Sequence, residues 1–145
     1  MMHKNLGSFN IAAISVRTTN LAGQSQADIG NLWTRFFADN ITAMIPAKLS
    51  DDLICAYTEY ESDMNGWYTA ILGYKVADSY NASNEISVVS VPSSTYQVYI
   101  STDAKPETVV QTWMQIWQSE IPRAYQTDFD IYLKDGRVET YLSVK

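Results

Sequence analysis

The chain has 145 residues, 46% hydrophobic and 18% charged, enough apolar material for one domain (1–145) with its own core. A formal net charge of -6 with no run of Lys or Arg excludes direct nucleic-acid binding through a basic patch. A single cysteine, Cys55, excludes an internal disulfide framework, and a single histidine, His3, excludes a histidine triad or a multi-histidine metal site. No apolar run reaches about 18 residues and no secretory leader pattern opens the chain, so a cytoplasmic protein without a membrane span is expected. No cofactor motif and no metal-ligand cluster is legible either.

In chain order, "MMHKNLGS" (1–8) reads as a polar lead-in, and "FNIAAISVRT" (9–18) as a strand. "ADIGNLWTRFF" places Ile29, Leu32, Trp33, Phe36 and Phe37 on one stripe, which predicts a helix over 27–40. Two strands follow, "DLICAYTEY" (52–60) and "WYTAILGYKV" (67–76), with Asn65-Gly66 as the turn signal between them. Residues 77–85 read as an exposed link. "EISVVSVPSSTYQVYIS" (85–101) reads as one bent strand with Pro92 as its break. "PETVVQTWMQIW" carries Val109, Trp113, Ile116 and Trp117 on one stripe behind a Pro suited to the first turn, which predicts a helix over 106–120. "TDFDIYLK" (127–134) and "RVETYLSVK" (137–145) close the chain as two strands around Asp135-Gly136.

The chain therefore repeats. Ile29, Trp33 and Phe37 match Val109, Trp113 and Trp117, each pair 80 residues apart. The expected fold is α+β, a duplicated β-α-β-β unit (9–76 and 85–145) with pseudo-two-fold symmetry and an antiparallel sheet. The seam between the halves is a natural place for a central ligand cleft. Ten tyrosines suit either a tyrosine-rich sheet or an aromatic cleft.

In "DFDIY", Phe129 and Ile131 alternate with Asp130 and Tyr132, the period of a half-buried strand. Asp130 is then either a solvated strand acid or the floor of a pocket. A tight hairpin at Asp135-Gly136 would put Tyr141 on the face of Asp130 and Tyr132. Aligning Tyr57 with Phe129 across the repeat sets Tyr60 opposite Tyr132, and the matching alignment of the next strands adds Trp67 to that face. Trp33, Phe36, Trp113 and Trp117 are expected in the core, with Trp113 or Trp117 offering an edge at the seam. Cys55, within "LICAY", is expected to be a buried structural thiol.

The ordered motifs "VRTTN", "IGNLWTRFF", "YTEYESDMNGWYTAILGYKV", "VPSSTYQVY", "TWMQIW" and "RAYQTDFDIY" resemble the GyrI-like, AraC-type effector-binding domain from about Phe9 to Lys145. The chain is similar to stand-alone, drug-binding members carried on integron cassettes. That resemblance implies a central aromatic cleft that takes lipophilic cations, with a glutamate as counter-charge in a Phe-Glu-x-Tyr motif. Here the motif is Phe129-Asp130-Ile131-Tyr132, so the acid is one methylene shorter. Transcription regulators of this kind add a helix-turn-helix segment, for which 145 residues leave no room beside the repeat.

Three functions follow from the resemblance. The first is non-catalytic binding of lipophilic, cationic small molecules for drug sensing or sequestration, with Asp130, Tyr132, Tyr141, Tyr60, Trp67 and Trp113 as ligand-binding residues. The second is a GyrI-like hydrolase of reactive small molecules with Asp130 as general base, which lacks a second catalytic group. The third is an inhibitor acting on a gyrase-type protein partner.

Overall fold

A computed structural model describes residues 2–83 and 85–145; the expectations for Met1 in the lead-in and Asn84 in the link lie outside them. Eight strands, β1 (Met2–Leu6), β2 (Phe9–Thr19), β3 (Leu53–Thr58), β4 (Trp67–Val76), β5 (Ser87–Val91), β6 (Ser94–Ser101), β7 (Asp128–Tyr132) and β8 (Val138–Ser143), form one sheet. Two helices, α1 (Gln24–Ala38) and α2 (Pro106–Gln118), follow β2 and β6. The α1 helix starts earlier than its apolar stripe because Gly23, in the left-handed region at φ 71°, turns the chain into it. Pro106 opens α2 as expected.

The sheet order is β1-β6-β8-β7-β3-β4-β2-β5, with every neighbouring pair antiparallel. That order is symmetric about the central β7-β3 pair. The α+β duplication is therefore present, but its unit is larger than expected. The lead-in is a strand, β1, running Met2 to Leu6 against Val98 to Ser94. The bent strand breaks at Pro92-Ser93 into β5 and β6. Each half is thus β-β-α-β-β, and each leading strand crosses over to pair with the second strand of the other half: β1 with β6, β5 with β2. The polar composition of β1 hid it; as an edge strand it satisfies backbone hydrogen bonds while burying little.

The ladder registers give residue-level equivalence between halves. Phe9 faces Val91 as Ser94 faces Leu6. Carried through β4 and β8, this makes Leu72 the counterpart of Thr140, Cys55 of Asp130 and Tyr57 of Tyr132. Cys55 and Asp130 also face each other directly across the β3-β7 ladder, so the pseudo-axis passes between them.

Both helices pack on one sheet face. α1 buries Leu32 and Phe36 against Ile14, Leu72 and Tyr74, while α2 buries Val109, Trp113 and Ile116 against Val138 and Leu142. The other face holds a second core of strand residues, including Ile11, Ile71, Tyr96, Phe129 and Tyr141. Among the described residues no helix is long and apolar enough to cross a membrane.

Candidate functional site

Alternation along β7 points Asp128, Asp130 and Tyr132 toward the helices and Phe129 and Ile131 away. Asp130 lies at the centre of the sheet with 0% of its surface exposed. Thr140 Oγ1 donates to its Oδ1 at 2.6 Å, Tyr57 Oη donates to its Oδ2 at 2.9 Å, and Trp113 Nε1 lies 3.3 and 3.1 Å from the two oxygens. All three donors are neutral. Burial pushes the Asp130 carboxyl up to about 6, against the pull of these hydrogen bonds and with help from nearby Asp128. Asp130 is therefore a buried acid and not a solvated strand residue.

The roof over Asp130 is aromatic and nearly symmetric. Trp113 meets Tyr57 edge-to-face, with ring centroids 5.3 Å apart at 81°. Trp33 meets Tyr132 in the same way, at 5.0 Å and 76°. The two tryptophans that match in the sequence thus do the same work in their halves. Trp33, Tyr57 and Tyr132 are only half-buried, so the carboxylate lies one aromatic layer below solvent. Cys55 Sγ donates weakly to Tyr57 Oη at 3.5 Å, which joins thiol, phenol and carboxylate in one chain. Burial first, and then the Asp130 charge, push the Cys55 thiol up to about 12 and the Tyr57 hydroxyl well above its usual range. Cys55 is accordingly a structural thiol rather than a nucleophile.

A second buried acid sits two residues away. Asp128 Oδ1 accepts from the Ser143 backbone N–H at 2.7 Å and from Ser143 Oγ at 2.8 Å. Its Oδ2 accepts from Tyr60 Oη at 2.6 Å and from Arg123 Nη2 at 3.0 Å. Arg123 is itself buried, its guanidinium 4.3 Å from the Tyr125 ring centroid and 5.9 Å from that of Trp113. The two acids therefore share a face and differ in their partners: one has a cation, the other has only neutral donors.

Of the residues expected at the site, Asp130, Tyr132 and Trp113 come together. Tyr60 reaches the same face but binds Asp128, since the ladder makes Tyr57, not Tyr60, the counterpart of Tyr132. Tyr141 is on the opposite face, opposite Phe129 and stacked on it at 4.7 Å and 12°. The reason is the turn. Leu133 N–H donates to Arg137 O, Gly136 N–H donates to Leu133 O, and Gly136 is left-handed at φ 93°, so the loop has three residues rather than two. One extra residue changes the parity of the pairing and sends Tyr141 to the other side. Trp67 is also on that far face, set there by the pairing of β4 with β2 and β3. Its neighbour Tyr68 points at the helices, while Trp67 points away and is 40% exposed. Trp33, Tyr57, Cys55 and Thr140 were not singled out for the site. Alternation in "LICAYT" already placed Cys55 and Tyr57 on one face, but only the ladder brings that face over Asp130.

Residues 4–144 match the family described as integron-associated effector binding protein. A Bacillus subtilis (strain 168) protein, YobU, a candidate transcriptional regulator by name, is 27% identical over 154 residues, covering 99% of this chain and 95% of its own. An integron cassette protein from the mobile metagenome of Vibrio cholerae has a similar structure, with TM-score 0.81, 28% identity, and 99% and 95% of the two chains covered. SAV2435, solved with tetraphenylphosphonium bound, is similar in fold, with TM-score 0.77, 17% identity, and 99% and 93% covered.

Proposed function

This chain belongs to the integron-associated effector-binding proteins, a family with the GyrI-like fold and small-molecule ligands, and on that premise we propose that its ligands are lipophilic organic cations bound between α1 and α2 over Asp130. The observation that carries this reading is the contrast between two buried acids on one strand. Asp128 is paired with Arg123, whereas Asp130 is satisfied by neutral donors alone. A buried carboxylate without a cation is costly. With a pKa of about 6 it is nevertheless mostly ionised at pH 7. A hydrophobic cation supplies the missing charge, and Trp33, Trp113, Tyr57 and Tyr132 supply faces worth about 0.5–2 kcal/mol each. Micromolar binding needs about 8 kcal/mol, which three such contacts, apolar burial and one charge pair can reach. The half-buried aromatic layer parts to admit the ligand, and sequestration or sensing is the use. Hydrolysis has less support, because the Asp130 oxygens are engaged by Thr140, Tyr57 and Trp113 and burial holds the Tyr57 hydroxyl well above its usual range.

Tetraphenylphosphonium and tetraphenylborate have the same shape and opposite charge. Calorimetric titration should show micromolar binding of the cation and none of the anion. D130N should weaken the cation by about ten- to a hundredfold, the scale of a charged hydrogen bond. Equal affinity for the two ions, or a cation affinity indifferent to D130N, overturns the proposal.

A further inference from the structure

The duplication shapes the seam between the helices as well as its floor. Thr18 of β2 donates to Asp28 Oδ2 at 2.9 Å, so that flank of α1 faces β2. Gly30 stands two residues on, about 200° around the helix, and therefore faces the seam. On α2, Thr112 Oγ1 lies 3.0 Å from Ser101 Oγ of β6. Val110 stands two residues before Thr112, about 200° around the helix, and faces the seam from the other side. β3 and β7 are antiparallel and both helices lie on one sheet face. The pseudo-axis therefore stands normal to the sheet, and the two helices run in opposite directions.

The two ends of the seam differ. Gly30 is the counterpart of Val110, and Phe37 of Trp117, each pair 80 residues apart. Gly30 lies about one turn before Trp33, and Trp117 about one turn after Trp113, so with opposed helices they belong to the same end. Val110 and Phe37 mark the other. The ring centroids of Phe37 and Trp117 lie 6.2 and 6.4 Å from those of Trp33 and Trp113. Each thus continues an aromatic wall outward, and both are exposed.

The fold itself does not ask for glycine at position 30. The residue sits in the middle of α1, where glycine weakens a helix relative to alanine. Its φ is not left-handed, and a Cβ there would meet nothing within 4 Å. No neighbouring atom excludes a side chain. The space that one would take up is the open flank at the Trp117 end, where Val110 occupies the matching space at the other.

We infer that Gly30 is a specificity-determining residue of the cleft, and that the preferred ligand is a lipophilic cation with one flat aromatic tail, its head over Asp130 and its tail running across Gly30 against Trp117. The inference rests on the cation reading of Asp130 and narrows it from any lipophilic cation to the one-tailed class. The side chains of Val110 and Phe37 leave the tail one way out.

The test uses methyltriphenylphosphonium and its phenylbutyl analogue, which share head and charge and differ in the tail. Each is titrated calorimetrically against the intact protein at pH 8. The wild type should bind the tailed cation at least about tenfold more tightly, through burial of the extra phenyl group. G30V copies the other end of the seam, and W117A removes the wall for the tail; each should bring the ratio to within about twofold of one while the methyl compound still binds. Valine is the better helix former, so G30V should melt no lower than the wild type, and W117A asks the same question without touching α1. A wild-type ratio of one, a ratio unchanged in either variant, or a ratio lost in F37A instead of W117A overturns the inference and leaves the cation reading intact. Failure of both cations to bind the wild type overturns the cation reading and this inference with it.

Discussion

The two halves build the same frame around different chemistry. In the second half, Asp130 lies under Trp113 and accepts from Tyr57 and Thr140. In the first, the equivalent position holds Cys55, with Trp33 and Tyr132 as the matching rings and Leu72 where Thr140 would be. The pair straddles the pseudo-axis in direct register. Cross-strand partners are about 4.5–5.5 Å apart, and two carboxylates at that distance cannot both ionise. Duplication supplied two aromatic pairs around the axis, and the charge was confined to one side of it. A thiol opposite the acid, neutral because burial raises its pKa, leaves Asp130 free to be the one negative group at the centre.

Restoring symmetry should give the largest effect. C55D would set a second acid against Asp130, with Leu72 where a hydroxyl donor would be needed. It should destabilise the protein by about 3–5 kcal/mol at pH 8, the scale of an uncompensated buried charge. The deficit should shrink at pH 5, where the pair can hold its protons; urea denaturation at the two pH values measures it. A C55D protein as stable as wild type at pH 8 would mean that the two positions do not share one site.

Removing the charge should run the other way. The folded-state pKa of Asp130 is raised, so the folded protein keeps a proton that the unfolded chain releases. Wild-type stability should therefore fall as pH rises from about 4 to about 6 and stay level above, with a total contribution of about 3 kcal/mol from a shift of this size. D130N should lose that slope and be more stable than wild type at pH 7 by about 1–3 kcal/mol, although it binds cations less well. A D130N variant less stable than wild type at pH 7 would show that the hydrogen bonds of Asp130 outweigh its desolvation. The same linkage makes cation affinity fall below about pH 6, approaching tenfold per pH unit as the ligand competes with the proton.

The smallest effect separates the two tryptophans. W113F removes an indole N–H from a carboxylate and should weaken cation binding by about 1.5–3 kcal/mol, whereas W33F, on the thiol side, should cost under about 1 kcal/mol. Equal losses from the two variants, measured by calorimetry with tetraphenylphosphonium, would make the cleft symmetric in energy as well as shape.

Much of this was legible in the chain itself. Stripes of apolar residues at helical spacing placed both helices, because a helix on a sheet must bury one face whatever its neighbours. The matched Trp33 and Trp113 declared the duplication, and alternation around Asp130 isolated an acid on one face of a strand. Local pattern could not say which face, nor what stood opposite. Three residues rather than two in the Lys134-Asp135-Gly136 loop turned Tyr141 away from the site, and the pairing of β4 with β3 and β2 put Trp67 on that same far face. The polar strand β1 carried no hydrophobic signal, since its place depends on pairing with β6 far along the chain. The meeting of Cys55 with Asp130 and of Arg123 with Asp128 was likewise decided in three dimensions. Periodicity is a property of neighbours in sequence, whereas register and charge pairing arise between segments that only the folded sheet brings together.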